Sequence, residues 1–230
     1  MSATSVIWGN RVAGAVVYGL MGEFIMKVYL IRHGETEYNK QRKLQGKCDI
    51  ELNEYGRELA KITAEALKNV NFDVVYTSPL KRAKETAQII IGEKKIAVIE
   101  EARIQEISFG DYEGLCCQGE NFNIPDKSFR NFFDLPEEYN VPPNGETFEE
   151  VIKRTGEFWN ELIRKKEYAD KTMLVSTHGC ALKAILANIN SVPIAEFWGT
   201  GVHKNCAVTI VDVSDKCIKV EEEGKLFYGK

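Results

Sequence analysis

From residue 27 onward, short apolar runs alternate with stretches of helical spacing, the pattern of an α/β domain. The runs KVYLI (27–31), DVVYTS (73–78), KIAVI (95–99) and TMLVST (172–177) have the length and branching of strands. NCAVTIVDV (205–213) and CIKVEE (217–222) follow as strands, the last pair spaced as a hairpin. Residues 52–69 open with Asn53 as N-cap and place Leu59, Ile62 and Ala66 on one helical face. Ser78 is positioned to cap a helix with Pro79 at its first position, continuing through Leu80, Ala83, Ala87 and Ile90. Thr147 to Glu150 form a capping box for a long helix whose stripe is Phe148, Val151, Ile152, Thr155, Phe158, Trp159 and Leu162. A last helix, 179–189, follows the fourth strand directly.

The alternation lapses twice. Between about 110 and 145 proline recurs at 125, 136, 142 and 143, and aromatics accumulate. That segment is expected to be a cap-like insertion lying over the domain. Its Phe122, Phe129, Phe132, Phe133 and Tyr139 would either line an apolar pocket or pack the insertion onto the sheet, with packing favoured. Before Met26 the apolar run Val12–Gly22 is too short to span a bilayer and lacks the basic start and cleavage pattern of a secretory signal. Residues 1–25 are expected to be an N-terminal extension outside the folded unit, leaving 26–230 as one domain.

Composition narrows the classes without choosing among them. The 230 residues are 44% hydrophobic and 28% charged, ordinary for a globular chain able to bury a sizeable core. A net charge of −4 does not point to a nucleic-acid partner, and no segment points to a membrane. Arg32, Lys40, Arg42, Lys43 and Lys47 crowd one segment and Lys81, Arg82 and Lys84 another, although such runs are ordinarily solvated faces. Six cysteines, at 48, 116, 117, 180, 206 and 217, show no CxxC spacing, which argues against a zinc site or a disulfide framework and favours a cytoplasmic location.

Candidate chemistry collects where three strands end. KVYLI runs into Arg32-His33-Gly34, DVVYTS into Pro79-Leu80-Lys81-Arg82, and TMLVST into His178-Gly179 and a helix. In open α/β sheets ligands bind beyond the carboxyl ends of the strands. If these three strands are parallel neighbours, two guanidiniums, two imidazoles and a helix N-terminus meet, which describes an anion site suited to phosphate. A neutral histidine is a competent phosphoryl nucleophile, and adjacent arginines keep it unprotonated. His203, beside Lys204 in a loop, reads as structural. Transfer also needs a proton donor. The negative charge of a bound phosphate favours a proton on a neighbouring carboxyl. Glu106 leads, with Asp111 and Glu113 as rivals that pattern alone does not separate.

Five blocks in order, LIRHGETEYN (30–39), SPLKRAKETA (78–87), EISFGDYEG (106–114), NGETFEEV (144–151) and VSTHG (175–179), resemble the histidine phosphatase superfamily over roughly residues 27 to 213. The resemblance implies a three-layer α/β/α sandwich on a mostly parallel mixed sheet, the phosphoglycerate-mutase-like fold. It implies His33 as the nucleophile that becomes phosphohistidine, with Arg32, Arg82 and His178 clamping the phosphoryl oxygens. Asn39 and the amide of Gly179 would add hydrogen bonds to the phosphate, and Glu106 would act as general acid and base. Gln45 and Gly46 would border the mouth. No metal and no cofactor are implied, and the partner is a small-molecule phosphate ester, with a homodimer left open. Ile107 and Ser108 stand where glycolytic mutases carry Arg and His, so the resemblance leans to the phosphatase branch, similar to alpha-ribazole phosphatase and broad-specificity phosphatases. The expected activity is a phosphoric monoester hydrolase; a cofactor-dependent phosphoglycerate mutase and a non-catalytic phospholigand-binding protein are the alternatives.

Overall fold

The run at 27–31 becomes the middle of a sheet because both of its faces are apolar. In the computed structural model, which describes residues 25–229, β1 (Met26–Arg32) sends Val28 and Leu30 to one side and Tyr29 and Ile31 to the other. The strands β2 (Val74–Thr77), β3 (Ala97–Glu100), β4 (Thr172–Thr177), β5 (Val208–Val213) and β6 (Ile218–Lys225) complete a six-stranded sheet of order β3-β2-β4-β1-β5-β6. β1, β2, β3 and β4 run parallel, whereas β5 and β6 pair antiparallel. The expected N-terminal extension lies outside the described residues, apart from Ile25.

After the short α1 (Glu37–Lys40) that follows β1, helices cover both faces, giving a three-layer α/β/α sandwich. α2 (Glu54–Ala66) and α3 (Lys81–Ile91) pack Leu59, Ala60, Ala87 and Ile90 against Tyr29, Ile31, Val75 and Leu174. On the other face α5 (Phe148–Arg164) and α6 (Gly179–Asn190) pack Phe158, Trp159, Leu162, Leu182 and Ile185 against Val28, Leu30 and Val175. Burial on both sides explains why β1 and β4 read as continuous apolar runs rather than as alternating ones. A third cluster joins Phe109, Phe129 and Phe132 to Phe148, Phe197 and Trp198. It includes residues of the 110–145 segment, whose one α-helix is the short α4 (Asn131–Asp134). Among the described residues no helix is long and apolar enough to cross a membrane.

Several expectations are met and three are corrected. Asn53 caps α2 by accepting from the Gly56 amide at 2.7 Å, and Thr147 with Glu150 forms the capping box of α5. The buried face of α2, however, carries Gly56, Leu59, Ala60 and Thr63, and Ala66 faces solvent. Ser78 does not cap α3: Leu80 is the N-cap, Pro79 precedes the helix, and the Ser78 hydroxyl bonds an imidazole instead. In α5, Ile152 is only half-buried while Gly156 joins the buried stripe.

One contact fixes the turn after β1. A Cβ on Gly56 would stand 2.1 Å from the Glu35 carbonyl oxygen, and one on Gly34 would stand 2.6 Å from the Gly56 carbonyl oxygen. The loop leaving β1 therefore lies backbone to backbone on the first turn of α2. Alanine in a helix ordinarily gains about 1 kcal/mol over glycine. Here Gly56→Ala should instead destabilise by about 1–3 kcal/mol, because backbone must move to admit the methyl. Urea denaturation checks the sign, and a gain in stability would contradict this packing.

Candidate active site

The sheet order places β4 between β2 and β1, so the three chemistry-bearing strand ends are adjacent and parallel. Arg32 is in register with Thr177, and Thr77 with Ser176, which brings His33, Ser78 and His178 to one level. The two imidazoles follow with ring centroids 5.1 Å apart. His33 Nδ1 donates to the Gly34 carbonyl at 2.7 Å, which fixes the tautomer and leaves Nε2 with its lone pair. Burial, reinforced by the charges of Arg82 and Arg32, holds His33 well below the ordinary histidine range. His178 is lowered in the same way, by burial and then by Arg82. Its Nε2 pairs with the Ser78 hydroxyl at 2.8 Å.

Both arginines are anchored by carbonyls rather than by carboxylates. Arg82 is fully buried and donates to the carbonyls of Cys48 and Gly46, each at 2.7 Å. Burial lowers Arg82 to about 10, against the opposing charges of Glu106 and Asp49, so it remains a cation at neutral pH. Arg32 donates from Nη1 to the carbonyl of His203. Arg32 Nε, Arg82 Nε and His178 Nδ1 are buried and have no hydrogen-bond partner among the described residues. Buried polar groups are nearly always paired, so three unpaired nitrogens around one imidazole call for a ligand.

The three acid candidates separate by position. Glu106 lines the cavity, and its Oε1 accepts from the amides of Cys180 and Ala181 at 3.1 and 3.0 Å, at the N-terminus of α6. Glu113 accepts from the amides of Lys47 and Cys48 at 2.9 and 3.0 Å, tying the loop that receives Arg82. Asp111 accepts from exposed Asn144 at 3.0 Å and is not on the cavity wall. A Cβ on Gly179 would stand 3.0 Å from Val202 and 3.6 Å from both Arg32 Nε and Glu106, so glycine lets these groups close in.

The cavity has a volume of about 280 Å³. Arg32, His33, Asn39, Gln45, Gly46, Arg82, Glu106 and Gly179 all border it, while His178 lies beside His33 behind the wall. Asn39 Oδ1 is occupied by Thr36 at 3.2 Å and Asn205 at 3.3 Å, and Gln45 accepts from the Thr36 hydroxyl at 2.9 Å. Of the five aromatics singled out in the 110–145 segment, Phe132 and Phe133 reach the cavity. Phe122, Phe129 and Tyr139 pack within the third cluster instead. Phe109 and Trp198 complete an aromatic wall, with Arg42 and Lys43 on the same cavity's border.

Sequence reasoning missed three supports. Arg154 donates to the carbonyls of Arg103 and Gln105 at 2.7 Å and of Glu106 at 3.0 Å, holding the acid-bearing loop. A cation inside a long amphipathic helix carried no signal of that task. Asn205 donates to the His33 carbonyl at 3.0 Å and comes near only because β5 returns beside β1. Ser78 reads in the sequence as the cap of α3, which it is not, and gives no sign there of being the partner of His178.

Comparison with known proteins agrees with this geometry. The sequence profile of the histidine phosphatase superfamily (branch 1) matches residues 28–224. The "uncharacterized phosphatase PhoE" of Bacillus subtilis is 37% identical over 164 residues, covering 71% of this chain and 77% of that protein. Phosphoserine phosphatase 1 of Hydrogenobacter thermophilus is 31% identical over 192 residues, covering 84% and 89%. The solved structure of Bacillus stearothermophilus YhfR superposes with a TM-score of 0.80 at 33% identity, covering 87% of this chain and 97% of that one.

The environment of the imidazoles gives an observable. His33, His178 and His203 are all shifted downward, with burial the leading cause in each. A base with a lowered pKa stays neutral until pH falls to that value, so none of the three should titrate at or above about 6.5 in the free protein. A long-range ¹H–¹⁵N NMR titration checks this. His33 should also show its proton on Nδ1, and a midpoint for it near 7 would contradict the electrostatic picture.

Proposed function

The chain belongs to the histidine phosphatase superfamily, and from that premise we propose that it hydrolyses small phosphate monoesters through a covalent phosphohistidine on His33. The observation that carries the reading is the trio of buried, unpaired nitrogens on Arg32, Arg82 and His178 around a neutral imidazole. A phosphoryl group in contact with His33 would give each of them an oxygen to bond.

His33 Nε2 attacks phosphorus in line with the ester oxygen. The P–N bond forms as the P–O bond to the leaving group breaks. Arg32, Arg82 and His178 hold the three equatorial oxygens, whose charge they offset without moving, because their anchors are fixed. The amide of Gly179 and the side-chain amide of Asn39 add bonds to the same group. Glu106 gives its proton to the departing oxygen, which leaves as an alcohol. Its carboxylate then takes a proton from water, whose oxygen attacks phosphorus. The P–N bond breaks, returning neutral His33 and free phosphate.

Gln45 and Gly46 border the entrance, and the leaving group meets Phe109, Phe132, Phe133 and Trp198. That wall fits a small organic leaving group with some apolar surface. Ile107 is fully buried, and the Ser108 amide donates to Glu146 at 2.8 Å, so neither offers a cation to a phosphoglycerate carboxylate. This supports hydrolysis over isomerisation.

Replacing His33 by Ala should abolish both turnover and acid-labile labelling from a ³²P-ester. Replacing Glu106 by Gln should slow hydrolysis of alkyl phosphates by about 10²–10⁴-fold. The same change should affect p-nitrophenyl phosphate much less, because that leaving group needs no proton. Primer-dependent isomerisation of 3-phosphoglycerate outpacing hydrolysis would establish the mutase instead. Binding of phosphate esters with no turnover would leave a phospholigand-binding protein.

A further inference from the structure

α6 is apolar from Gly179 to Ala187 except for one residue. Lys183 sits within this buried stretch and is only 5% exposed. An ammonium so placed is costly unless paired. Its Nζ donates to Glu223 Oε1 at 3.0 Å, reaching across to β6. The same oxygen takes a second bond, from His203 Nε2 at 3.0 Å. Burial lowers His203, which is therefore neutral and donates from Nε2. Burial opposes the charge on Glu223, but the bonds from Lys183 and His203 outweigh it and keep the carboxylate below its ordinary range. The phosphoryl-transfer steps use none of these three groups directly.

What the cluster holds is the loop 203–206. The carbonyl of His203 accepts from Arg32 Nη1, and the His203 ring packs against Gly224, where a Cβ would stand 3.3 Å from Cδ2. Two residues on, the Asn205 side chain donates to the His33 carbonyl at 3.0 Å and to Asn39 Oδ1 at 3.3 Å. The Cys206 amide donates to the Arg32 carbonyl at 3.0 Å. Tyr228, beyond β6, donates its hydroxyl to the Asn205 carbonyl. Both ends of the loop are thus gripped by the C-terminal segment, and the loop in turn touches Arg32 and His33.

We infer that Glu223, with Lys183 and His203, and Tyr228 are positioning residues that set the guanidinium of Arg32 and the backbone of His33 for phosphoryl transfer. The inference rests on the role proposed above for those two residues. Stability alone does not call for the cluster, since a buried ion pair replaced by apolar groups of similar size is often neutral or stabilising. Direction does call for it. The bond to Glu223, a carboxylate held in turn by Lys183, fixes the His203 side chain, and with it the peptide whose oxygen orients Arg32.

The test uses the full chain and p-nitrophenyl phosphate, with orthovanadate as a competitive transition-state mimic. The double variant Lys183→Met/Glu223→Leu removes both charges but leaves His203 Nε2 without its acceptor, so its Tm should fall by only a few degrees. Its kcat should nevertheless fall about 10- to 100-fold, the scale of a misplaced catalytic group, with vanadate inhibition weakened alongside. Tyr228→Phe, which deletes a single hydroxyl, should shift both quantities the same way by a smaller factor. Parental kcat and vanadate inhibition in the folded double variant would overturn the inference, as would a loss that only follows the folded fraction. Should the double variant not fold, Tyr228→Phe decides: unchanged kcat and inhibition there overturn it. Arg32→Ala separates the two layers. If the parent hydrolyses the ester and Arg32→Ala does not weaken vanadate, the proposed role of Arg32 fails. If Arg32→Ala does weaken it while the other variants do not, only the positioning role fails.

Discussion

Two arginines beside two histidines at a buried strand end must be held in place without cancelling the charge that an anion would meet. This protein keeps that charge available. Arg82 is held by the carbonyls of Gly46 and Cys48, and Arg32 by the carbonyl of His203. Carbonyls fix a guanidinium without neutralising it, whereas a carboxylate salt bridge would have spent its attraction before a substrate arrived. Carboxylates do take part, one step further back: Glu113 ties the loop that receives Arg82, and Glu223 ties the histidine that receives Arg32. Burial, reinforced by the same charges, keeps the imidazoles neutral, which leaves His33 with a lone pair to use.

The sheet makes this arrangement attainable. Parallel pairing of β1, β4 and β2 aligns three carboxyl ends, and α6 starts immediately after β4, so its amides face the same point. Those amides hold Glu106, the one carboxylate among the described residues that lines the cavity with His33. The turn after β1 is pressed onto Gly56 of α2, which leaves His33 little freedom to drift. Rigid strands and a packed turn therefore do the orienting that phosphoryl transfer demands.

Much of this was legible from residue order. Strands buried on both faces announce themselves as apolar runs, and Asn53 and the Thr147–Glu150 box declare their helix starts because capping is local chemistry. The convergence of Arg32, His33, Arg82 and His178 was readable because each follows a strand or opens a helix at one edge of the sheet. What stayed hidden depends on contacts distant in sequence. Ser78 has the chemistry of a cap, yet its hydroxyl lies 2.8 Å from His178, one hundred residues on. Glu106, Asp111 and Glu113 part in position only when the amides of α6 and of residues 47–48 are in place. Asn205 reaches His33 because β5 returns beside β1, and Glu223 reaches His203 because β6 returns beside β5, pairings with no local signature.

The central claim is that the unpaired nitrogens of Arg32, Arg82 and His178 surround one oxyanion in contact with His33. A crystal structure of the protein with orthovanadate tests it directly. The account predicts vanadium bonded to His33 Nε2, with its oxygens about 3 Å from Arg32 Nε, Arg82 Nε and His178 Nδ1. Vanadate seated elsewhere in the cavity, or bound with those nitrogens still unpaired, would contradict it.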